Sequence, residues 1–317
     1  MLNPAPMPFK KNLPDAASVP ALTGFSVLGI DGVDAESFLQ AQTMNDVRAL
    51  ASGRWHWNGW LTPKGRLIAL FALARLADDG FVAILPDFSA NDLLPLLGRF
   101  VFRSKVKLRV REELVCAGAN VPDAPKEPSD RVEGSVDDGL SLDLSAGRSS
   151  RRLWLLPAGS PTLRPSDAGN DDDWLEQDLL HGLPRLPKEQ RESWTPQMLS
   201  LERLNAFSLK KGCYPGQEIV ARTHYLGQAK RVLLCLRGTG LLPGTSVNDS
   251  TGTAVGTVVS ATRDGGTALA VCNRDSERNE LRVADRAVEP LPLLPGLARP
   301  VVTEVTLVGS QIPETGA

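Results

Sequence analysis

One cysteine in this chain stands where a thiol could react. In Lys210-Lys211-Gly212-Cys213-Tyr214-Pro215-Gly216-Gln217-Glu218 the sulfur follows two lysines and lies between two glycines, with a proline close behind. Glycine and proline in this arrangement force a tight, irregular backbone. Cations within a few residues favour thiolate over thiol, and a helix over Gln217 to Arg222 would aim its N-terminal amides the same way. The chemistry on offer is that of a nucleophilic or redox-responsive cysteine. The competing reading of the same residues is a small buried thiol filling a turn.

Other chemistries find less support. Cys116, Cys213, Cys235 and Cys272 are scattered, with no CxxC and no Cys/His pair at ligand spacing, so no stably bound metal is expected. One thiol cannot hold an iron-sulfur cluster, whose irons take several thiolate ligands. His181 and His224 have no acid or cysteine at ligand spacing, and neither a G-x-S-x-G elbow nor a glycine-rich phosphate loop occurs. His56 lies among Trp55, Trp57 and Trp60, where the alternation suits the packed face of a strand better than a base-stacking platform. So few thiols in 317 residues point to a reduced, cytoplasmic setting. Met1 to Lys11 is Pro-rich without the apolar core of a signal peptide, and the longest apolar run, Leu67 to Ala77, is interrupted by Arg75 and falls far short of the roughly 20 residues a bilayer span needs. No membrane partner is expected.

A net charge of −2 gives no global attraction to nucleic acid. Locally the charges separate into blocks: Arg203 to Arg237 holds seven cations against the single acid Glu218, and Asp167 to Asp178 holds six acids and no base. Both read as solvated faces, with the cationic block leaving room for direct contact with tRNA.

The elements that must position the cysteine can be read from pattern. Val27 to Ile30 is expected as a strand, Asp31-Gly32 as its turn, and Asp34 as the cap of a helix burying Phe38 and Leu39. Trp55 to Leu61 and Arg66 to Leu76 read as a hairpin closed by Thr62-Pro63-Lys64-Gly65. Phe81 to Leu85 is a further strand. A helix should start at Asn91 or Asp92 and run to Val101, with Pro95 in its first turn. Gly118 to Gly139 and Pro157 to Asp173 read as linkers, Trp174 to Leu180 as a short helix, and the Pro-rich His181 to Pro196 as surface chain. Val232 to Leu236, Thr253 to Val259, Ala268 to Cys272 and Val301 to Leu307, punctuated by Gly and Pro, suit a small antiparallel barrel.

The segment KGCYPGQEIVART, Lys211 to Thr223, followed by Lys230-Arg231, closely resembles the K-G-C-Y-x-G-Q-E signature of the YgfZ family, relatives of the glycine-cleavage T-protein. GVDAESFLQAQTMNDV from Gly32, LTPKGRLIALF from Leu61, RSKV from Arg103 and TPQMLSLERL from Thr195 resemble the family's other landmarks, in order.

The resemblance implies an α+β, T-protein-like fold: two interleaved α+β units around a central cavity over residues 1–230, with linkers near 118–139 and 157–173, then a C-terminal antiparallel β-barrel over 231–317. It implies a tetrahydrofolate-class ligand with Phe25 and Trp174 in its pocket. A pterin ring gains by stacking on such rings, and a glutamate tail needs cations, for which Lys64, Arg66 and Arg103 are the sequence's candidates. The implied reactive group is Cys213, at the rim of that pocket, within a motif of Lys211, Gly212, Tyr214, Gly216, Gln217, Glu218 and Arg222. The implied role is support of iron-sulfur proteins, including enzymes that thiolate tRNA. Two readings stand: an accessory folate-binding factor, or a folate-dependent one-carbon transferase acting on a small amine or RNA. The T-protein's catalytic aspartate has no convincing counterpart in Phe81 to Asp92, although Asp87 lies near.

Overall fold

The run Leu67 to Ala77 is buried along nearly its whole length, which an antiparallel strand tolerates only when both faces of its sheet are covered. The computed structural model describes residues 18–121, 128–147, 149–226, 230–278 and 280–299. The first unit comprises β1 (Val19–Pro20), β2 (Ser26–Asp31), α1 (Ala35–Gln42), β3 (Arg54–Leu61), β4 (Leu67–Ala77), β5 (Gly80–Leu85), α2 (Ala90–Gly98) and β6 (Lys107–Val110). The second comprises β7 (Leu114–Asn120), β8 (Val132–Ser135), β9 (Gly139–Asp143), β10 (Arg151–Pro157), β11 (Leu163–Arg164) and α3 (Ala168–Leu180). After α4 (Gln217–Leu226) come β12 (Arg231–Arg237), β13 (Ser246–Asp249), β14 (Ala254–Ala261), β15 (Thr267–Asn273), β16 (Leu281–Val283) and β17 (Arg286–Leu291).

The first sheet has the order β3-β4-β5-β2-β6 and the second β7-β10-β9-β8, while β12 to β17 close into a six-stranded antiparallel barrel. The period-two alternation of β3 and β4 divides their side chains between two cores. Trp55, Trp57, Leu70 and Ala72 face the second sheet and the barrel, with Trp174 and Val259 in the same cluster. Trp60, Ala69, Phe71 and Leu73 face α1 and α2 with Phe38 and Leu93. The two units interleave. β1 pairs in parallel with β11, Trp55 donates its amide to Asp130, and the chain beyond α3 returns to the first sheet, where Leu67 and Trp194 pair.

Several local expectations need correction. Asp34 does not cap α1 with its side chain; the carboxylate accepts the Lys105 amide and ties two loops together. In α2, Pro95 lies beyond the first turn, at a position where it and Asn91 are both exposed, so water can satisfy the freed carbonyl. The stretch 118–139 begins within β7 and contains β8. Gly118 is a strand residue because a side chain there would lie 2.6 Å from both Leu22 and the Trp174 ring. The stretch 157–173 holds β11 and the start of α3, which begins early because the Asp167 carboxylate accepts the amides of Gly169 and Asn170. His181 to Pro196 is no surface chain: His181, Leu183, Leu186, Gln190 and Trp194 are buried. Its unpaired backbone is served by side chains instead, with Asp87 accepting the Leu186 amide and Arg191 donating to the Leu186 carbonyl. Strands stand at Val232 to Leu236 and Ala268 to Cys272, and across most of Thr253 to Val259; Val301 to Leu307 lies outside the described residues.

Candidate functional site

Phe25, just ahead of β2, and Trp174, in the middle of α3, line one cavity of about 400 Å³. The remaining wall comes from Leu22 to Gly24, from Pro86 and Asp87 just after β5, from Asp171 and Leu175 of α3, from Arg185 and Pro187, and from Pro243, Ser260, Ala261 and Arg263 of the barrel region. Every unit of the fold therefore contributes.

A buried carboxylate organises the aromatic walls. Asp178, 1% exposed, accepts Arg151 through one oxygen at 2.7 Å and Arg185 through the other at 2.7 Å. The Arg151 guanidinium lies over the Trp174 ring at 4.8 Å, and the Arg185 guanidinium over the Phe25 ring at 4.7 Å. The Trp174 indole N–H is buried without a partner. At the rim, Asp171 accepts the Thr23 hydroxyl at 2.6 Å and lies 3.5 Å from Arg263, which also reaches Asp172. Asp87 faces the cavity too, and burial raises its carboxyl above the ordinary range against the pull of Arg185 and the Leu186 amide.

The acidic block of α3 is thus not simply a solvated face. Of the cations that answer it, Arg185 and Arg263 line the cavity, and pattern reading missed both. The block itself was the available signal, since Asp178 has to be paired once it is buried. Lys64, Arg66 and Arg103 do not line this cavity. Lys64 is exposed on the hairpin turn, Arg66 donates to the Ser193 carbonyl at 2.6 Å, and Arg103 is exposed and lies over Phe102.

The thiol loop is a second place, and Cys213 is not among the cavity's lining residues. Cys213 is exposed, which excludes the buried-turn alternative. Cys116, Cys235 and Cys272 are buried, and burial pushes their thiols up to between about 11 and about 12. The loop is held from beneath. Lys211, 5% exposed, donates its ammonium to the carbonyls of Thr43 at 2.5 Å and Asn45 at 2.9 Å, 5.0 Å from the Tyr214 ring. Burial lowers the Lys211 ammonium to about 7. Asn45 in turn donates to the carbonyls of Trp57 and Asn205, and its amide is held by Asn58. Neighbouring His56 is buried and lowered to about 3, chiefly by burial and then by Lys211.

Gly216, with φ +80°, rests directly on the hairpin turn: a side chain there would lie 2.6 Å from Gly65 and from the Thr62 carbonyl. Gly212 has open space around it, so the tight geometry belongs to Gly216 alone. Gln217 opens α4 and donates to the Lys211 carbonyl, while Glu218 and Arg222 are exposed on the same helix. Among the described residues no group of three or more His, Cys, Asp or Glu side chains could hold a metal ion, and no helix is long and apolar enough to cross a membrane.

No family model matches the chain. The aminomethyltransferase T of the glycine cleavage system from Bartonella henselae shares the fold, with a TM-score of 0.67 at 16% identity over 87% of this chain and 86% of that one. The tRNA-modifying protein YgfZ of Edwardsiella ictaluri is 30% identical over 295 residues, 84% of this chain and 88% of the relative. That of Vibrio vulnificus is 32% identical over 249 residues, 72% of each. With the fold of an aminomethyltransferase and this degree of identity over most of its length, the chain belongs to the YgfZ family.

Proposed function

We propose that the protein binds a reduced folate of the tetrahydrofolate class between Phe25 and Trp174, and that Cys213 carries out a sulfur-dependent step that supports iron-sulfur enzymes and, through them, tRNA thiolation. The observation that carries the folate half is the convergence of two distant aromatic residues on one cavity with Arg185 and Arg263 around it. A pterin is a flat aromatic ring with a polar edge. Phe25 and Trp174 are the aromatic part of the lining, on which such a ring would stack. Arg263, half in solvent at the rim, suits the carboxylates of a glutamate tail. The tRNA half draws support from the name of the relatives, tRNA-modifying protein YgfZ.

Titration with tetrahydrofolate, followed by tryptophan fluorescence, tests the first half. A saturable change is expected, weakened about three- to tenfold in Trp174→Leu, the range that loss of ring stacking gives. No saturable change into the millimolar range would overturn the folate reading. A second reading, a one-carbon transferase, is favoured by Asp87, a carboxyl with raised proton affinity in the same cavity. It requires that purified protein consume 5,10-methylenetetrahydrofolate when offered small amines or RNA.

A further inference from the structure

The connection from α2 through β6 carries chemistry that neither the cavity nor the thiol loop uses. Between Gly98 and Arg111 the chain has six cations and no acid. Arg99, Arg103, Lys105, Lys107 and Arg109 are exposed. Arg109 and Arg111 share Glu113, but among the described residues Arg99, Lys105 and Lys107 have no ion-pair partner. Phe102 stands in the midst of them, 87% exposed and at φ +30°, a conformation that bulky side chains avoid. Its ring carries the Arg103 guanidinium at 5.3 Å. Phe100 is half exposed and meets Trp60 edge-on at 6.0 Å. Val33, 72% exposed, belongs to the turn whose Asp34 holds the Lys105 amide.

A polyanion answers the unpaired cations, and a base answers a flat ring held out into water; a nucleic-acid strand supplies both at once. An acidic peptide would engage the charges and leave the Phe102 ring without a counterpart. We propose that this face binds single-stranded RNA, with phosphates on Arg99, Lys105 and Lys107 and a base stacked on Phe102. The face is also joined to the thiol loop by direct contacts. Phe100 packs on Trp60, Trp60 pairs with Thr43, and the Thr43 carbonyl accepts the Lys211 ammonium, two residues from Cys213. The inference is independent of the folate reading, and so is its test.

The test is fluorescence anisotropy of a short, unstructured, labelled RNA over a range of salt concentrations. Phe102→Ala should weaken binding about 5- to 100-fold with an unchanged salt slope. Lys105→Gln with Lys107→Gln should lower the log–log salt slope by about 1.4, and Lys230→Gln with Arg231→Gln should change neither. Because Phe102 is 87% exposed, Phe102→Ala should melt close to the wild-type temperature, which separates a binding loss from a folding loss. The proposal is overturned if wild-type protein does not bind the RNA or if Phe102→Ala binds it unchanged. Losses that fall on the Lys230/Arg231 pair instead, or displacement of the RNA by polyglutamate at matched charge, also overturn it; the latter would assign the face to an acidic protein.

Discussion

The aromatic cavity and the thiol loop solve opposite problems. The cavity is assembled from at least five separate stretches of chain, and its order comes from one buried carboxylate with two arginines. The loop is local, its thiol lies in water, and its order comes from one buried lysine beneath it. A site built for shape needs long-range packing, whereas a reactive atom needs only exposure and a fixed base. Substitutions at the cavity should therefore cost stability and ligand affinity together, while those at Cys213 should cost function alone.

The sharpest separation is Cys213→Ser. It should reduce rescue of tRNA thiolation in a strain lacking the protein to the level of the empty strain, with melting temperature and tetrahydrofolate affinity unchanged; normal rescue would remove the thiol from the mechanism. Asp178→Asn should cost about 3–5 kcal/mol in denaturant unfolding, since it leaves Arg151 buried without its counter-charge, and should weaken folate binding as well. Gly118→Ala should cost about 1–3 kcal/mol by overpacking and lower folate affinity by displacing Trp174, although residue 118 touches no ligand.

Lys211→Met should also cost about 1–3 kcal/mol, because two buried carbonyls lose their donor. It has a pH signature besides. With the ammonium lowered from 10.5 to about 7, the unfolded chain holds a proton between those values that the folded chain has released. Stability should therefore rise with pH across that window, and the variant should lack this rise. His56 has the same sign lower down: lowered from 6.5 to about 3, it removes stability as pH falls from 6.5 toward 3. The smallest effect is expected of Arg263→Gln, whose half-exposed ion pairs should contribute no more than about 1 kcal/mol to stability. Its binding loss should be greater for a polyglutamylated folate than for the monoglutamate; equal losses would take Arg263 away from the tail.

The same contrast explains what could be read in the sequence. The thiol loop is contiguous, so its tight turn at Gly216 and the helix that follows were legible, and so were the alternating strands of the first sheet and the barrel. The cavity's charges were not. Lys64, Arg66 and Arg103 sit in recognisable motifs, yet Arg185 and Arg263, in unremarkable Pro-rich and turn sequence, are the ones that tertiary packing brings to α3. Gly118 misled for a related reason. A glycine reads as a break when its neighbours in sequence are the only context, but here it makes room for an indole from another segment. The Pro-rich 181–196 stretch reads as surface because it lacks periodicity, whereas Asp87 and Arg191 serve the Leu186 backbone where regular structure would have done so.

Because Asp178 holds both Arg151 and Arg185, and each guanidinium lies over one aromatic wall, a single buried carboxylate ties Phe25 and Trp174 into one network. Two walls that are far apart in the chain therefore share one anchor, and a change at residue 178 reaches both of them together.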